Sequence, residues 1–423
     1  MSDEIAPRHH SGKQRILLIV NITLAVLTIL SGTGLLYANW KLNNRNVVTI
    51  DTVDPNANGF DLPVGDLKAK NFLITGSDNN ACVAKNSRYA GGFGVRTSYG
   101  ERSDSIMVIR VNPIDNQAAV LSFPRDMWVT QAGSTRHGRI NTNFDKKNPN
   151  RLIRTIKENF GIVIDHYVNI DFCAFKEVID AVGGVRVPFA HKARDKRTGF
   201  RVSTANVCFN FEGDHALAYM RSRHYQWYDP ALKKWRTDPS SDWGRIARQQ
   251  DFMRRLVKKA LDKARSNPRV ATGILNAALK NVITDDRLNP LTVLQLGQAM
   301  KNFDANTMGS YTMPGLGQII DKSSVIVPDF DSDLSKKILS VFQGKASLST
   351  TLKKTSASAS SSEFTELAAV IATTSAIKIS VSKPSATTTT TSTSSTTTTT
   401  IPSLVIEQDT RGIVPPDDPN CQF

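Results

Sequence analysis

The chain has 423 residues, 40% of them hydrophobic, which is enough for a sizeable core and about two average domains. Its formal net charge is +15, which favours an acidic partner such as nucleic acid, a phosphate-bearing lipid or an anionic polymer. The four cysteines are too far apart for a CxxC pattern, which excludes a metal or redox motif of that kind.

The first feature along the chain is an uncharged apolar run at residues 16–38. A helix of that length spans about 34 Å, which is enough for a bilayer core. Arg8, Lys13 and Arg15 precede the run and favour a cytoplasmic N-terminus at residues 1–15. The alternative is a cleaved signal peptide, but its apolar region would be shorter and would end in small residues. We therefore expect one uncleaved transmembrane helix in the cell membrane.

This topology places everything after the anchor outside the cytoplasm. The basic domain then lies on the wrong side of the membrane for nucleic acid, and phosphate-bearing lipids and anionic polymers are the expected acidic partners. Residues 39–65 form a spacer, and residues 66–344 form the globular region. Residues 345–423 are predicted to form a disordered tail, because their Ser/Thr-rich sequence cannot bury enough apolar surface to fold.

Strand and helix patterns alternate within the globular region. Runs rich in β-formers predict strands at 71–75, 105–111, 118–123, 166–170 and 184–189, and a final strand region at 315–327. Apolar residues at helical spacing predict helices at 151–160, 172–182, 242–264 and 289–303. The interleaving predicts an α/β fold, a three-layer α-β-α sandwich with a mixed central sheet.

The cysteines are Cys82, Cys173, Cys208 and Cys421. In an oxidising compartment a structural disulfide is expected. Connectivity cannot be read from a sequence, and the first pairing that we consider is Cys173–Cys208.

Charged residues stand at the ends of the predicted strands. Asp78 follows the first strand, Asp104 opens the second, and Arg125 follows the third after a proline that ends the ladder. Open α/β sheets bind ligands at such edges. Taken singly, each residue is equally well read as a turn, cap or surface residue.

Two further patterns carry arginine. Arg221 and Arg223 would share one face of an extended segment, and two aligned guanidinium forks suit a pyrophosphate, although a charged surface strand reads the same way. Asp242, Arg245 and Gln249 share one face of the longest helix, beside its apolar stripe. That trio is either the wall of a site or an ordinary polar face.

Together these segments resemble the LytR-CpsA-Psr family of cell-wall glycopolymer ligases. The resemblance covers roughly residues 68–264 and, more loosely, 289–328. Its motifs follow the family order: Asn-Phe-Leu-Ile-Thr-Gly-Ser-Asp at 71–78, Arg-Ser-Asp-Ser at 102–105, Leu-Ser-Phe-Pro-Arg-Asp at 121–126, Arg-Ile-Asn at 139–141, Asp-Ala-Val-Gly-Gly-Val at 180–185, Ala-Leu-Ala-Tyr-Met-Arg-Ser-Arg at 216–223 and Asp242-x-x-Arg245-x-x-x-Gln249.

The resemblance implies a phosphotransferase. Such enzymes bind a polyprenyl-pyrophosphate glycopolymer and transfer its phosphoglycosyl group to a peptidoglycan hydroxyl, releasing polyprenyl phosphate. It also implies roles for single residues. Asp78 and Asp104 bind Mg²⁺ (or Mn²⁺) or position the acceptor, and one of them acts as base. The pyrophosphate is held by Arg102, Arg125, Arg221, Arg223 and Arg245. Asp242 and Gln249 orient those arginines.

The chain departs from the family pattern in two places. Asn79 and Asn80 stand where many members have an arginine, and 18 residues at 224–241 lengthen the link before the long helix. That insertion is either a lid over the acceptor or lipid, or a variable surface loop. Two other functions stay open on the same residues: hydrolysis of the lipid-linked pyrophosphate, and a non-catalytic regulator that binds lipid or glycan.

Overall fold

The computed structural model describes residues 46–51, 68–78, 82, 87, 89, 103–266, 282–288, 290–348, 403–404, 406 and 411–421. The apolar run at residues 16–38 lies outside these ranges, as does the segment before it. Among these described residues, no helix combines the length and the apolar character that crossing a bilayer requires.

The described ranges form short strands and a set of helices. The strands are β1 (Asn46–Val48), β2 (Lys70–Ser77), β3 (Ser103–Asn112), β4 (Gln117–Phe123), β5 (Trp128–Thr130), β6 (His137–Arg139), β7 (His166–Asp171), β8 (Val185–Phe189), β9 (Ala193–Asp195), β10 (Phe200–Val202), β11 (Val207–Phe211), β12 (Gln226–Asp229), β13 (Lys234–Thr237), β14 (Val282–Asp285), β15 (Gly309–Thr312), β16 (Gly315–Ile320), β17 (Ser323–Pro328), β18 (Ser347–Leu348) and β19 (Ser403–Leu404). The α-helices are α1 (Asn150–Phe160), α2 (Phe172–Ala181), α3 (Gly213–Met220), α4 (Ser241–Ser266), α5 (Pro290–Ala299) and α6 (Asp333–Phe342).

The largest sheet has the strand order β1-β14-β7-β2-β3-β4-β15. The pairs β2–β7, β4–β15 and β1–β14 are parallel, and β2–β3, β3–β4 and β7–β14 are antiparallel. The sheet is therefore mixed, as the sequence predicted. The predicted strands at 71–75, 105–111, 118–123 and 166–170 are its four central members, each lengthened at its ends.

Alternate side chains of this sheet enter two different cores. Leu73, Val108 and Leu121 pack in one cluster with residues of α1 and α6. Their neighbours Ile74, Met107 and Val120 pack in a second cluster with residues of α4 and α5. This is the period-two pattern of a sheet that buries both faces. Helices thus cover the sheet on both sides in the described part of the chain.

A third core lies beside the sheet and is rich in aromatic side chains. It joins α2, α3 and α4 to strands β8 to β11, with Phe200, Phe211 and Tyr219 at its centre. The ring centroids of Phe211 and Tyr219 are 4.9 Å apart, and those of Phe200 and Tyr219 are 5.0 Å apart. Such pairs add stability beyond the area that they bury. This core fixes α3 and α4 relative to each other.

Two expected elements differ in detail. The final strand region at 315–327 is an antiparallel hairpin of β16 and β17, and the helix predicted at 289–303 ends at Ala299. The insertion at 224–241 is also ordered, since β12 and β13 pair with each other and β12 pairs with β9. It therefore supplies two strands of a four-stranded sheet, β10-β9-β12-β13.

The cysteine pairing that we first considered is wrong. The disulfides are Cys82–Cys173 and Cys208–Cys421, with Cα atoms 5.6 and 5.3 Å apart. Cys208 lies on β11, and its partner follows it by 213 residues. The second bond thus spans the whole Ser/Thr-rich stretch, which is why spacing along the chain gave no sign of it.

The end of the chain does not match the disordered tail expected over residues 345–423. Residues 411–421 lie on the domain, where Asp417 pairs with Arg255 (Oδ1 to Nη2, 3.3 Å) and Ile413 packs against the aromatic core. Further upstream, β19 pairs in parallel with β18. Composition missed these segments because they are short and are held by distant partners.

Candidate active site

One cavity of about 320 Å³ opens where β2, β3, α3 and α4 meet. One part of its wall is charged or polar, and includes Asp78, Asp104, Arg125, Arg197, Arg221, Arg223, His224, Arg245 and Gln249. The other part is apolar, and includes Ile74, Met107, Ile170, Phe172, Phe175, Leu217, Met220 and Met253. The cavity wall thus combines several cations with a set of apolar side chains.

Asp104 and Arg125 form the first half of the charged wall. The antiparallel pairing of β3 with β4 brings the start of one strand beside the end of the other. Arg125 Nη1 donates to Asp104 Oδ1 at 2.9 Å, and Arg125 Nε donates to Asp126 Oδ2 at 3.2 Å. Asp126 also pairs with Arg139 (Oδ1 to Nε, 3.2 Å). A chain of alternating charges therefore fixes the guanidinium of Arg125.

Asp242 organises the second half. Its carboxylate takes both Nε (2.9 Å) and Nη2 (3.1 Å) of Arg245, one helical turn away on α4. The same oxygen, Oδ1, lies 2.9 Å from Arg223 Nε. Arg245 is almost fully buried, and its Nη2 also donates to the backbone oxygen of Asp104 at 3.1 Å. One carboxylate thus aligns two guanidinium groups, and the buried one ties α4 to β3.

Arg223 has a donor to spare. Its buried Nη2 has no hydrogen-bond acceptor among the described residues, and the nearest carboxylate oxygen, Asp104 Oδ2, is 3.8 Å away. A buried donor without an acceptor costs roughly 1–3 kcal/mol. The structure retains that cost in the wall of a cavity, where an anionic ligand would remove it.

The cluster shifts the pKa values of its members. Burial acts to raise the pKa of Asp104, but the charge and hydrogen bond of Arg125, with the charges of Arg245 and Arg223, lower it to about 2. Asp242 follows the same balance, with burial outweighed by Arg245 and Arg223, and its pKa is lowered. Burial and the charge of Arg245 lower the pKa of Arg223. Both carboxylates are therefore ionised at neutral pH, as an arginine clamp requires.

Arg221 and Arg223 lie in a turn, not in the extended segment that alternation suggested. Arg221 caps α3 in a helical conformation, and the chain turns after it. Ser222 between them is fully buried, and its Oγ donates to Asp195 Oδ2 at 2.8 Å. The Ser222 carbonyl oxygen accepts from Arg248 Nη2 at 2.9 Å. The buried serine therefore turns its two arginine neighbours towards the cavity.

Gln249 acts on this turn through the backbone. Its Nε2 donates to the carbonyl oxygen of Met220 at 2.9 Å, just before Arg221, and its Oε1 accepts from Ser105 Oγ at 3.4 Å. The guanidinium of Arg221 lies over the ring of Phe172, with 5.0 Å between its Cζ and the ring centroid. Gln249 thus bonds the end of α3, where the sequence had suggested that it orients guanidinium groups.

The structure brings nearly all the predicted site residues together. Those that line the cavity are Asp78, Asp104, Arg125, Arg221, Arg223, Arg245 and Gln249. Asp242 stands behind Arg223 and Arg245. Arg102 lies outside the described residues.

Sequence reasoning missed four contributors. Arg197 and His224 also line the cavity, and two buried residues, Asp195 and Arg248, each bond Ser222 and so hold the turn between Arg221 and Arg223. Asp195 and Arg197 come from the short β9–β10 turn, which carries no periodic pattern. Arg248 could have been found on α4, because it is a charged residue three positions after Arg245 and next to Gln249.

The donor set for a metal is small. No group of three or more His, Cys, Asp or Glu side chains that could hold an ion occurs in the part of the chain that the structure describes. Asp78 and Asp104 do line the same cavity. Two carboxylates fit a cation such as Mg²⁺ that takes its other ligands from substrate phosphates and water. They do not fit an ion held by protein ligands alone.

Known proteins resemble this chain over the domain that holds the cavity. The model of the LytR_cpsA_psr family matches residues 41–338. The polyisoprenyl-teichoic acid–peptidoglycan teichoic acid transferase TagU of Bacillus mycoides (strain KBAB4) is 30% identical over 202 residues, 48% of this chain and 59% of TagU. TagV of Bacillus subtilis (strain 168), which is named as the same kind of transferase, is 28% identical over 310 residues, which cover 71% of each chain. The chain thus spans about three fifths of TagU.

Two solved structures share the fold. A LytR-Csp2A-Psr enzyme from Actinomyces oris aligns with a TM-score of 0.52 at 21% identity, covering 71% of this chain and 96% of that one. B. subtilis TagV aligns with a TM-score of 0.51 at 24% identity, covering 66% and 99%. The mixed α/β fold with its large mixed sheet agrees with both.

Proposed function

The chain belongs to the LytR_cpsA_psr family, as the motif order predicted, and on that premise we propose that it is a transferase that attaches a glycopolymer to peptidoglycan. The donor is a glycopolymer on a polyprenyl-pyrophosphate carrier, and the acceptor is a peptidoglycan hydroxyl. The similarity to TagU and TagV supports this choice, because both are named as transferases of teichoic acid from a polyisoprenyl carrier to peptidoglycan.

One observation carries the proposal: the lining of a single cavity divides into charged side chains, mostly arginines, and apolar side chains. A polyprenyl pyrophosphate has the same division, with two phosphates joined to a hydrocarbon chain. The lipid lies along Ile170, Phe175 and Met253, and the pyrophosphate faces Arg125, Arg223 and Arg245. A water-soluble phosphate ester would leave the apolar wall without a use.

The arginines stabilise the charge that moves during transfer. The acceptor oxygen forms a bond to the phosphorus next to the sugar, and the bond from that phosphorus to the bridging oxygen breaks. Polyprenyl phosphate leaves with the electron pair. Guanidinium groups already fixed by Asp104 and Asp242 need no reorganisation as the leaving oxygen becomes charged. The spare Nη2 of Arg223 is the donor best placed to bind that charge.

The proton of the acceptor hydroxyl needs a base. Asp104, with its pKa lowered to about 2, holds a proton poorly at neutral pH and serves to fix cations instead. We assign the base to Asp78, the other carboxylate on the cavity wall. Mg²⁺ or Mn²⁺, when bound by these two carboxylates, would supply further positive charge to the phosphates.

We also propose where the protein acts: it is anchored in the cell membrane, and its catalytic domain lies on the outer side. A lipid-linked donor requires a site close to a bilayer, and the apolar run at residues 16–38, with its preceding basic residues, supplies an anchor of the right length. The resulting protein spans the membrane once, with its catalytic domain extracytoplasmic and no nucleic acid as partner. We propose the three-layer α-β-α sandwich as the fold of that catalytic domain.

A reconstituted reaction tests it. The full chain is incubated with polyprenyl-pyrophosphate glycan, peptidoglycan oligomers and Mg²⁺, and linked product is measured by mass spectrometry. Wild type should form the linked product, and Arg125→Ala should lose at least about 100-fold in rate. Arg136→Ala, at an exposed arginine of the β5–β6 hairpin, is the matched control. Release of glycan phosphate without linkage would identify a hydrolase, and binding without turnover would identify a regulator.

A further inference from the structure

One face of the β10-β9-β12-β13 sheet has no role in the reaction proposed above. The pairing sets Arg201 opposite Arg194, and Arg194 opposite Gln226. The next row on the same side contains Tyr228 and Trp235, which are also directly opposite each other. Lys192 completes this row, because its carbonyl oxygen accepts from the backbone N–H of Tyr228 at 2.9 Å.

These six residues, Lys192, Arg194, Arg201, Gln226, Tyr228 and Trp235, form what we call the outer face. The intervening residues point the other way. Ala193, Phe200 and Val202 are buried in the aromatic core, and Trp227 packs against it. Because side chains alternate along a strand, the outer face is turned from the core, and Arg201 and Lys192 are exposed.

The two arginines of the outer face are arranged at a cost. Like charges directly opposite each other on neighbouring strands destabilise a sheet. Arg194 is held by uncharged groups: its Nε donates to Gln226 Oε1 at 2.9 Å, and its Cζ lies 3.8 Å from the centroid of the Trp235 ring. This arrangement keeps the guanidinium rigid and leaves its charge uncompensated by those two partners. The Arg194 guanidinium thus lies towards β12 and β13, and with the exposed Lys192 and Arg201 it gives the outer face three positive charges that an anionic ligand would compensate.

The aromatic rings add a second type of contact. The rings of Tyr228 and Trp235 meet edge to face with centroids 5.7 Å apart. The Lys192 ammonium is 6.0 Å from the Tyr228 ring centroid. Arg194 already covers one face of Trp235, so the Tyr228 ring beside the exposed Lys192 is the surface that suits the apolar C–H face of a sugar ring. The outer face thus combines groups for sugars with groups for anions.

The sheet is continuous with the cavity. The turn between β9 and β10 supplies Arg197 and Thr198 to the cavity wall, and His224 lines the cavity just before β12 begins. A chain whose first unit is held by the pyrophosphate site would therefore meet this sheet as it leaves the cavity. The insertion at 224–241, which lengthens this chain relative to the family pattern, supplies half of the sheet.

We propose that the outer face binds the anionic glycan chain of the donor, several units beyond the pyrophosphate. This inference rests on the proposed function, because the chain that it binds is the one to be transferred. The occupant is a polymer of sugars or polyols linked by phosphate, since a neutral glycan would leave the charges of Lys192, Arg194 and Arg201 without a counter-charge.

Two donors separate this inference from the function itself. One is polyprenyl pyrophosphate carrying a single disaccharide, and the other carries a poly(glycerol phosphate) chain on that disaccharide. The full-length double variant Lys192→Gln/Arg201→Gln removes two exposed charges. It should turn over the short donor as wild type does, and its half-saturating concentration for the long donor should rise about five- to tenfold at low salt. The control double variant Lys336→Gln/Lys337→Gln removes two exposed lysines of α6 and should change the turnover of neither donor.

Each other outcome has one meaning. If wild type turns over neither donor, the proposed function fails. If the double variant handles both donors as wild type does, or is impaired equally with both, the outer face does not bind the distal chain. A direct measurement supports the kinetics: poly(glycerol phosphate) without lipid should bind wild type more tightly than the double variant. Equal binding of neutral chitohexaose to wild type would overturn the anionic assignment.

Discussion

Ser222 Oγ donates to Asp195 Oδ2 at 2.8 Å inside the protein, and this bond fixes the turn that carries two arginines of the site. Asp195 is fully buried and also accepts from the backbone N–H of His224 at 2.9 Å. A carboxylate on one short hairpin therefore sets the direction of Arg221 and Arg223 without contacting either.

Removal of this hydroxyl should weaken donor binding. In Ser222→Ala the buried Asp195 loses one charge-assisted hydrogen bond, which costs about 2 kcal/mol of stability. The turn then loosens, and the half-saturating concentration of the lipid donor should rise more than the maximal rate falls. Steady-state kinetics of the full chain and urea unfolding measure the two effects. The control Ser203→Ala, at an exposed position, should change neither the kinetics nor the stability. Unchanged kinetics in a destabilised Ser222→Ala would remove the positioning role.

Stability should fall in acid because of Asp104. Its pKa is about 2 when folded, against 3.8 for the free group, so the ionised form favours the folded state. The contribution, about 2 kcal/mol at most, is fully present above the unfolded value and is lost as pH falls through the folded one. Urea unfolding at pH 5 and pH 2.5 should show a smaller difference for Asp104→Asn than for wild type. Asp331→Asn, at an exposed residue, should match wild type.

The buried pair of Arg248 and Asp238 should behave as one unit. Arg248 Nη1 lies 2.6 Å from Asp238 Oδ2, and both side chains are about 1% exposed. Arg248→Met leaves the aspartate buried and unpaired, which should cost about 3–5 kcal/mol. The double variant with Asp238→Asn should recover part of that loss. Urea unfolding of the two single variants and the double variant measures the coupling, and strictly additive losses would contradict it.

The disulfide from Cys208 to Cys421 should tie the chain end to the domain. Peptide mapping under non-reducing conditions should recover Cys82 with Cys173 and Cys208 with Cys421. The double variant Cys208→Ser/Cys421→Ser should lose about 3 kcal/mol or more, because the bond closes a long loop. It should also expose residues 411–421 to protease. A Cys173–Cys208 peptide would refute this pairing.

The metal requirement should depend on Asp78. If this carboxylate and Asp104 hold Mg²⁺, chelation should abolish transfer, and added Mg²⁺ should restore it. Asp78→Asn should raise the Mg²⁺ concentration for half-maximal rate by about tenfold or more, because one of two protein ligands loses its charge. Titration of Mg²⁺ against initial rate measures this. A rate that falls with an unchanged Mg²⁺ requirement would assign Asp78 to proton transfer alone.

How much the sequence predicted depends on the range of each interaction. Asp78, Asp104 and Arg125 were found because strand ends meet at one sheet edge, and that rule follows from local patterns. Arg245 was found from helical spacing on α4. Asp195 was missed because its role depends on Ser222, 27 residues later on another element. Periodicity reports which face a residue occupies, but not which distant partner it meets.

The wrong disulfide prediction has the same explanation, over a longer separation along the chain. Cys208 was matched with a nearer cysteine, while its partner lies beyond the Ser/Thr-rich stretch. Composition correctly marked that stretch as different from the globular region. It could not report that residues 411–421 contact α4, because that contact depends on single pairs such as Asp417 with Arg255.

The parallel pairing of β18 with β19 also changes how the Ser/Thr-rich stretch is attached. Residues 347–348 pair with residues 403–404, so the two ends of this stretch lie side by side. A single protease cut within it would yield two polypeptides that still migrate as one species. They would separate only when Cys208–Cys421 is reduced and the chain is unfolded. Proteolysis within this stretch would therefore not release residues 411–421, which contact Arg255 on α4.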